Sequence, residues 1–206
     1  MQNKRAIEIM DTTLRDGEQT SGVSFSANEK LTLAKLLLTE LKVDRIEIAS
    51  ARVSDGEFNA VKGIIKWAKG NGYLKAVEIL TFVDNHTSID WMKKAGAKVQ
   101  NLLTKGSLNH LKHQLKKTPD EHFNEVEQTI NYAISNQIET NVYLEDWSNG
   151  MRNSKEYVFE FLDFLSKKPV KRILLPDTLG VLTPIECNSF ISAICYKNTS
   201  RNIDIP

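Results

Sequence analysis

The segment DTTLRDGEQ, Asp11 to Gln19, gathers two threonines, an arginine, three carboxylates, a glycine and a glutamine behind the short apolar run Ala6–Met10. Arg15 and Asp16 are adjacent, and Gly17 allows the chain to turn tightly beside them. A carboxylate displayed on a loop can hold a hard divalent cation. A guanidinium next to it, charged at every accessible pH, can grip a carboxylate or polarise a carbonyl oxygen. Together the two suit a reaction that builds negative charge on a carbonyl oxygen. Adjacency alone equally suits a surface ion pair beside a helix cap.

Polar residues recur after later apolar runs: Ser50 and Arg52, then Lys105, then Tyr143, Glu145 and Asp146, then Asp177 and Thr178. The elements that must position them alternate regularly. Strands are expected at Ile7–Met10, Arg45–Ala49, Ala76–Leu80, Val99–Leu103, Glu139–Leu144 and Arg172–Leu175, with helical patterns between them. In Asn28–Leu41, steps of three and four place Leu31, Ala34, Leu37, Leu38 and Leu41 on one face. Phe58, Val61, Ile64, Ile65 and Ala68 form a second stripe, stopped by Gly70-Asn71-Gly72. Thr118-Pro119 and Thr183-Pro184 each supply a cap and a first-turn proline. A further helix is expected from Asn153 or Ser154.

Strand–helix units without hairpin signals mean a parallel sheet. A doubly wound sheet would favour a glycine-rich turn after the first strand, and TTLRDGEQ is not one. Functional groups at many strand ends are the habit of a β/α barrel. The expected fold is α/β, an incomplete (β/α)8 TIM barrel with about six units over residues 1–206. Asn202–Ile205 reads as the start of a seventh strand.

Composition excludes several classes. Net charge is +1, with no field of one sign to recruit nucleic acid or an anionic membrane. No run approaches the roughly 20 apolar residues of a membrane span, and the N-terminus lacks a signal peptide's apolar core. Cys187 and Cys195, eight apart, suit two faces of one helix and read as reduced, in a cytoplasmic protein.

MDTTLRDGEQTSGVSFS, KVDRIEIASARVSDGE, LLTKGSLNHL, NVYLEDWSNGMRNS and LPDTLGVLTPIE together resemble the acetyl-CoA-dependent 2-oxo acid condensing enzymes: the isopropylmalate, homocitrate and citramalate synthases, relatives of the hydroxymethylglutaryl-CoA lyases. The resemblance implies a metal-dependent β/α barrel that joins acetyl-CoA to a 2-oxo acid, with small-molecule partners and a homodimeric full-length enzyme. By that resemblance Asp16 is a ligand to a divalent metal (Mn, Mg or Zn). Arg15 holds the oxo acid and its developing alkoxide. Asp11 supports the strand end, Gln19 lies near the metal, Thr178 hydrogen-bonds the oxo acid's carboxylate, and Glu145 takes part in proton transfer.

The family completes its metal site with a His-x-His pair, and none of His86, His110, His113 and His122 forms one. His110 and His113 are expected at the surface or behind the site. The 206-residue chain is accordingly expected to be an inactive portion of a catalytic barrel. For the oxo acid's side chain, the family's pocket maps onto Leu80, Leu103 and Tyr143. Three large groups favour the methyl of pyruvate, the citramalate synthase substrate, over the isopropyl of 2-oxoisovalerate. The same three residues equally suit barrel-core packing. Arg52 or Lys105 would serve a distal carboxylate in a homocitrate reading.

Overall fold

The computed structural model describes residues 7–199, with side chains to Cys195. Asn202–Ile205 lies outside the described residues. The elements are β1 (Met10–Asp11), α1 (Ala27–Thr39), β2 (Arg45–Ser50), α2 (Asp55–Gly70), β3 (Val77–Phe82), α3 (Thr87–Ala95) and β4 (Val99–Lys105). A short α4 (Leu108–His110) runs into a π turn at Leu111–Leu115. There follow α5 (Pro119–Ser135), β5 (Glu139–Glu145), α6 (Trp147–Asn153), α7 (Lys155–Ser166), β6 (Arg172–Leu174) and α8 (Pro184–Thr199). The strands are ordered β1-β2-β3-β4-β5-β6 in one sheet, the parallel sequential order of a β/α barrel. The chain divides into two compact units, Met1–Gln100 and Asn101–Pro206.

In the first unit, Ile46 and Ile48 of β2 alternate with Arg45 and Glu47, so the apolar pair lies on one face and the charged pair on the other. Glu47 is in register with Glu78 of β3. The buried stripe of α2 is Ala60, Val61, Ile64, Ile65 and Ala68. Ser54 caps that helix by accepting the Glu57 N–H, at 3.1 Å. In α1 a reciprocal box between Ser26 and Glu29 fixes the start.

Two expectations fail here. The first strand is only Met10–Asp11, and Ile7 and Ile9 are 90% and 61% exposed. Ile9 is held by polar contacts instead: its N–H donates to Asp44 at 2.7 Å, and its carbonyl accepts the Asp44 and Arg45 N–H groups. Leu41 lies beyond the end of α1 and is 71% exposed. The buried stripe of α1 begins with a lysine, running Lys30, Ala34, Leu37, Leu38.

In the second unit, Thr118 and Glu121 form the capping box of α5, with Pro119 in its first turn. Phe123, Tyr157, Phe161 and Phe164 stack between α5 and α7, with ring centroids 4.9 to 6.1 Å apart. Helix α6, which the sequence patterns did not signal, follows β5 at once. Both cysteines lie on α8, exposed and outside any disulfide.

Candidate functional site

The opening loop is built by its own polar groups. Asp11 accepts the Thr13 N–H at 2.9 Å and the Thr13 hydroxyl at 3.1 Å, a local turn at the strand end. The N–H groups of Arg15, Asp16 and Gly17 all converge on the Thr12 carbonyl. Glu18 accepts the Phe25 N–H at 2.9 Å and meets Lys30 at 2.5 Å. Lys30, 1% exposed, also reaches both Glu57 oxygens, at 2.6 and 2.8 Å. One buried ammonium thus ties the loop, α1 and the first turn of α2 together. The motif glutamates Glu18 and Glu57 are its two counter-ions.

Arg15 is largely buried. Its Nε donates to Glu47, which is fully buried on β2, and its Nη1 donates to Asp16 at 2.8 Å. Asp16 has a side chain 60% exposed. The guanidinium therefore has one face fixed to an interior carboxylate and one turned to the surface. One step down the strand, Arg45 reaches both oxygens of Glu78, at 3.1 and 3.3 Å. Each of two adjacent interior carboxylates so has its own arginine. Gln19 is exposed, its N–H bonded to the Asp16 carbonyl. Leu80, 6% exposed, lies two residues beyond Glu78 on the same face of β3. Arg52 is paired with Asp84 at 2.7 Å.

In the second unit, three rungs share one face of β4 and β5. Asn141 Nδ2 donates to Asn101 at 2.8 Å, both buried, and Lys105 Nζ donates to Glu145. Leu103 and Tyr143 occupy the rung between them and are half-buried. The backbone of Lys105 is held from the helix side: its carbonyl accepts the Tyr157 hydroxyl at 2.8 Å, and its N–H points to His122 Nε2 at 3.4 Å. Burial drives the Tyr157 hydroxyl's pKa upward, helped by Glu160. It lowers His122 to about 4, with Lys117 and Lys105 adding to the effect, so the ring is neutral and accepts at Nε2.

Asp146, 2% exposed and in the left-handed region at φ 63°, is the centre of the strand-end loops. Oδ2 accepts the Ser107 hydroxyl at 2.7 Å and lies 3.5 Å from His110 Nε2, while Oδ1 accepts Asn149 Nδ2 at 2.8 Å. The Asp146 N–H donates to Thr178 Oγ1 at 3.1 Å. Ser148 donates to Asp177 at 2.8 Å. The Leu182 N–H is the main cause of the lowered Asp177 pKa. His113 is exposed.

Arg15 and Asp16 are thus brought together in one unit. In the other, Glu145 sits with Lys105, Tyr143 is on the next rung, and Thr178 reaches the neighbouring Asp146 N–H. Sequence reasoning missed Glu47, Lys30 and the role of Asp146. A carboxylate in mid-strand and a lysine on an apolar stripe were the available signals. Asp16, the expected metal ligand, is engaged by Arg15, and among the described residues no three His, Cys, Asp or Glu side chains cluster to hold an ion.

The HMGL-like family model matches residues 6–205. A probable 2-isopropylmalate synthase of Ignicoccus hospitalis is 32% identical over 201 residues, covering 98% of this chain and 48% of the relative. An (R)-citramalate synthase of Methanocaldococcus jannaschii is 33% identical over 201 residues, covering 97% and 38%. The chain spans about half, or less, of the length of these relatives. In fold it is similar to the hydroxymethylglutaryl-CoA lyases of Bacillus subtilis, with TM-score 0.73 at 20% identity, and Pseudomonas aeruginosa, with TM-score 0.75 at 16%. Each match covers 92% of this chain and 64% of the solved one. With the motifs of its strand ends in place on a six-stranded parallel sheet, the chain belongs to the HMGL-like family.

Proposed function

We propose that these residues are the N-terminal part of the catalytic barrel of an acetyl-CoA-dependent 2-oxo acid synthase, with pyruvate favoured and (R)-citramalate formed. The reaction removes a proton from the acetyl methyl group, adds the resulting enolate carbon to the ketone carbon, protonates the alkoxide and hydrolyses the thioester to release the CoA thiol. Arg15 grips the oxo acid and the oxygen on which charge develops. Glu145, held by Lys105, takes part in proton transfer. Thr178 orients the oxo acid's carboxylate. Gln19 lies beside Asp16, which would offer a divalent metal one oxygen ligand.

The observation that carries the reading is the anchoring of Arg15: a fully buried Glu47 fixes Nε, and Nη1 meets the exposed Asp16. The names of the relatives at 32–33% identity support the reaction class. A cytoplasmic homodimer belongs to the same proposal. So does the assignment of turnover to the complete barrel, the six units alone being inactive.

The second reading is 2-isopropylmalate synthesis from 2-oxoisovalerate, favoured by the Ignicoccus relative and by one of Pyrococcus furiosus, 33% identical over 198 residues. The test mixes the complete protein and Mn²⁺ or Mg²⁺ with acetyl-CoA and each oxo acid, following release of the CoA thiol and identifying the product. Pyruvate should give the higher kcat/KM. Preference for 2-oxoisovalerate would replace the first reading by the second, and no thiol release with either acid would reject both.

A further inference from the structure

The ends of β4, β5 and β6 carry three of the motifs that the resemblance rests on, yet the proposed chemistry uses only Glu145, its partner Lys105 and Thr178 from them. The intervening residues converge on one buried group. Asp146 binds Ser107 and approaches His110 beyond β4, binds Asn149 in α6, and donates its own N–H to Thr178 beyond β6. Its side chain and its backbone thus point to different neighbours, which requires the left-handed conformation it adopts at φ 63°. Aspartate tolerates that region better than a β-branched or bulky residue does. Around it the backbone leaves no slack. The Gly106 N–H donates to the Glu145 carbonyl at 2.7 Å, and the Leu108 N–H donates to Ser154 at 3.2 Å. The third loop is joined a second time through Ser148 and Asp177.

We infer that Asp146 is a positioning residue that joins three strand ends into one rigid platform, its carboxylate holding Ser107 and Asn149 and its backbone N–H holding Thr178, with Glu145 the preceding residue. The inference rests on the condensation reading for its catalytic consequence only. The platform itself stands on the hydrogen bonds. Glu145 ends β5 with its carbonyl held by the Gly106 N–H, and the next residue cannot turn without releasing Ser107, Asn149 and Thr178 at once. Displacing catalytic groups by about 1 Å is enough to cost on the order of 10²-fold in rate.

The test compares Asp146→Asn with Thr178→Val and Lys167→Gln in the complete protein. Asparagine keeps the size and the left-handed tolerance, but it places an amide N–H₂ where an oxygen accepted, so Ser107 or Asn149 loses its acceptor. Amide hydrogen exchange should accelerate together at His110, residue 146 and Leu182 in Asp146→Asn. In Thr178→Val it should accelerate at Asp146 alone, whose acceptor is removed. Lys167→Gln, which removes the exposed Lys167–Asp163 pair at the end of α7, should leave the three loops and the turnover unchanged. With acetyl-CoA and pyruvate, Asp146→Asn should lower kcat by about 10²-fold with KM for pyruvate within about threefold. Faster exchange confined to residues 146–149, or equal loss in Lys167→Gln, would overturn the platform. If the unsubstituted protein condenses no oxo acid, the condensation reading fails, and the exchange pattern still supports or overturns the platform by itself.

Discussion

Gly150 rests directly on the carbonyl of Gly106: a Cβ built on Gly150 would lie 2.1 Å from that oxygen and 2.8 Å from Val158 Cγ2. Gly106 is equally confined, with its own Cβ position 2.8 Å from the Leu144 carbonyl oxygen. The neighbouring atoms are mostly backbone, so relief requires the strand-end loop to move.

Gly150→Ala should therefore destabilise the protein by about 1–3 kcal/mol or more, the cost of forcing atoms into a packed site. Gly63→Ala, in the middle of α2 with nothing within 4 Å of its Cβ position, should stabilise by about 0.5–1 kcal/mol. Urea midpoints of the two variants against the parent check both signs. Equal midpoints for Gly150→Ala and the parent would show that the loops are not in contact.

Glu47 is fully buried and Arg15 is largely so. Removing the arginine alone takes from a buried carboxylate the ion pair that Nε makes with it, and Arg15→Met should cost about 3–5 kcal/mol. Adding Glu47→Leu to Arg15→Met should recover much of that loss, because both charges are then gone. A double-mutant cycle of unfolding free energies measures the coupling, and additive effects would contradict the pairing. Neither variant should condense oxo acids, and Arg15→Lys should fail as well, since an ammonium cannot reproduce the guanidinium fork.

His122 is neutral in the folded protein, with a pKa of about 4, while in the unfolded chain it takes up a proton below its ordinary 6.5. The unfolded state therefore binds more protons between those values. Stability should be unaffected by this group above pH 6.5 and should fall as pH drops toward 4, by on the order of 3 kcal/mol in all. His122→Gln, which keeps an acceptor for the Lys105 N–H, should flatten that part of the profile. Parallel urea midpoints for parent and variant from pH 7 to 4 would disprove the assignment.

Leu103 and Tyr143 share a rung one step from Glu145, and Leu80 lies beyond Glu78 on β3. If these side chains limit the oxo acid, Leu103→Ala in the complete protein should raise kcat/KM for 2-oxoisovalerate relative to pyruvate, by about 1–3 kcal/mol for each methylene-scale change. Leu80→Ala should act in the same direction. An unchanged ratio in both variants would assign the leucines to packing.

The strands β2 to β5 were legible to within two residues because short apolar runs bounded by helix caps have few other readings. The first strand was misplaced because Ile7 and Ile9 look like core, whereas the polar contacts of Asp44 decide where pairing begins. Arg15, Asp16 and Glu145 could be named from motif type, but their partners could not. Nothing in a single sequence says that Glu47 answers Arg15 across 32 positions, or that Lys105 answers Glu145 across 40. Lys30 was hidden because a lysine on an apolar stripe reads as a solvated break in it. Asp146 read as a helix-start charge, and only its left-handed backbone shows why its side chain faces inward.

Glu47 and Asp16, both partners of Arg15, differ in what their release costs. Leaving Glu47 would abandon a buried carboxylate, whereas leaving Asp16 gives up an exposed contact worth about 0–1 kcal/mol. Of these two contacts, the one with Asp16 is the more readily exchanged. On the condensation reading, an incoming carboxylate or alkoxide would replace Asp16 by substitution, one anion for another, while the Glu47 contact keeps the arginine against β2. Asp16 is the group set loose in that exchange, and it is released toward solvent beside the arriving ligand.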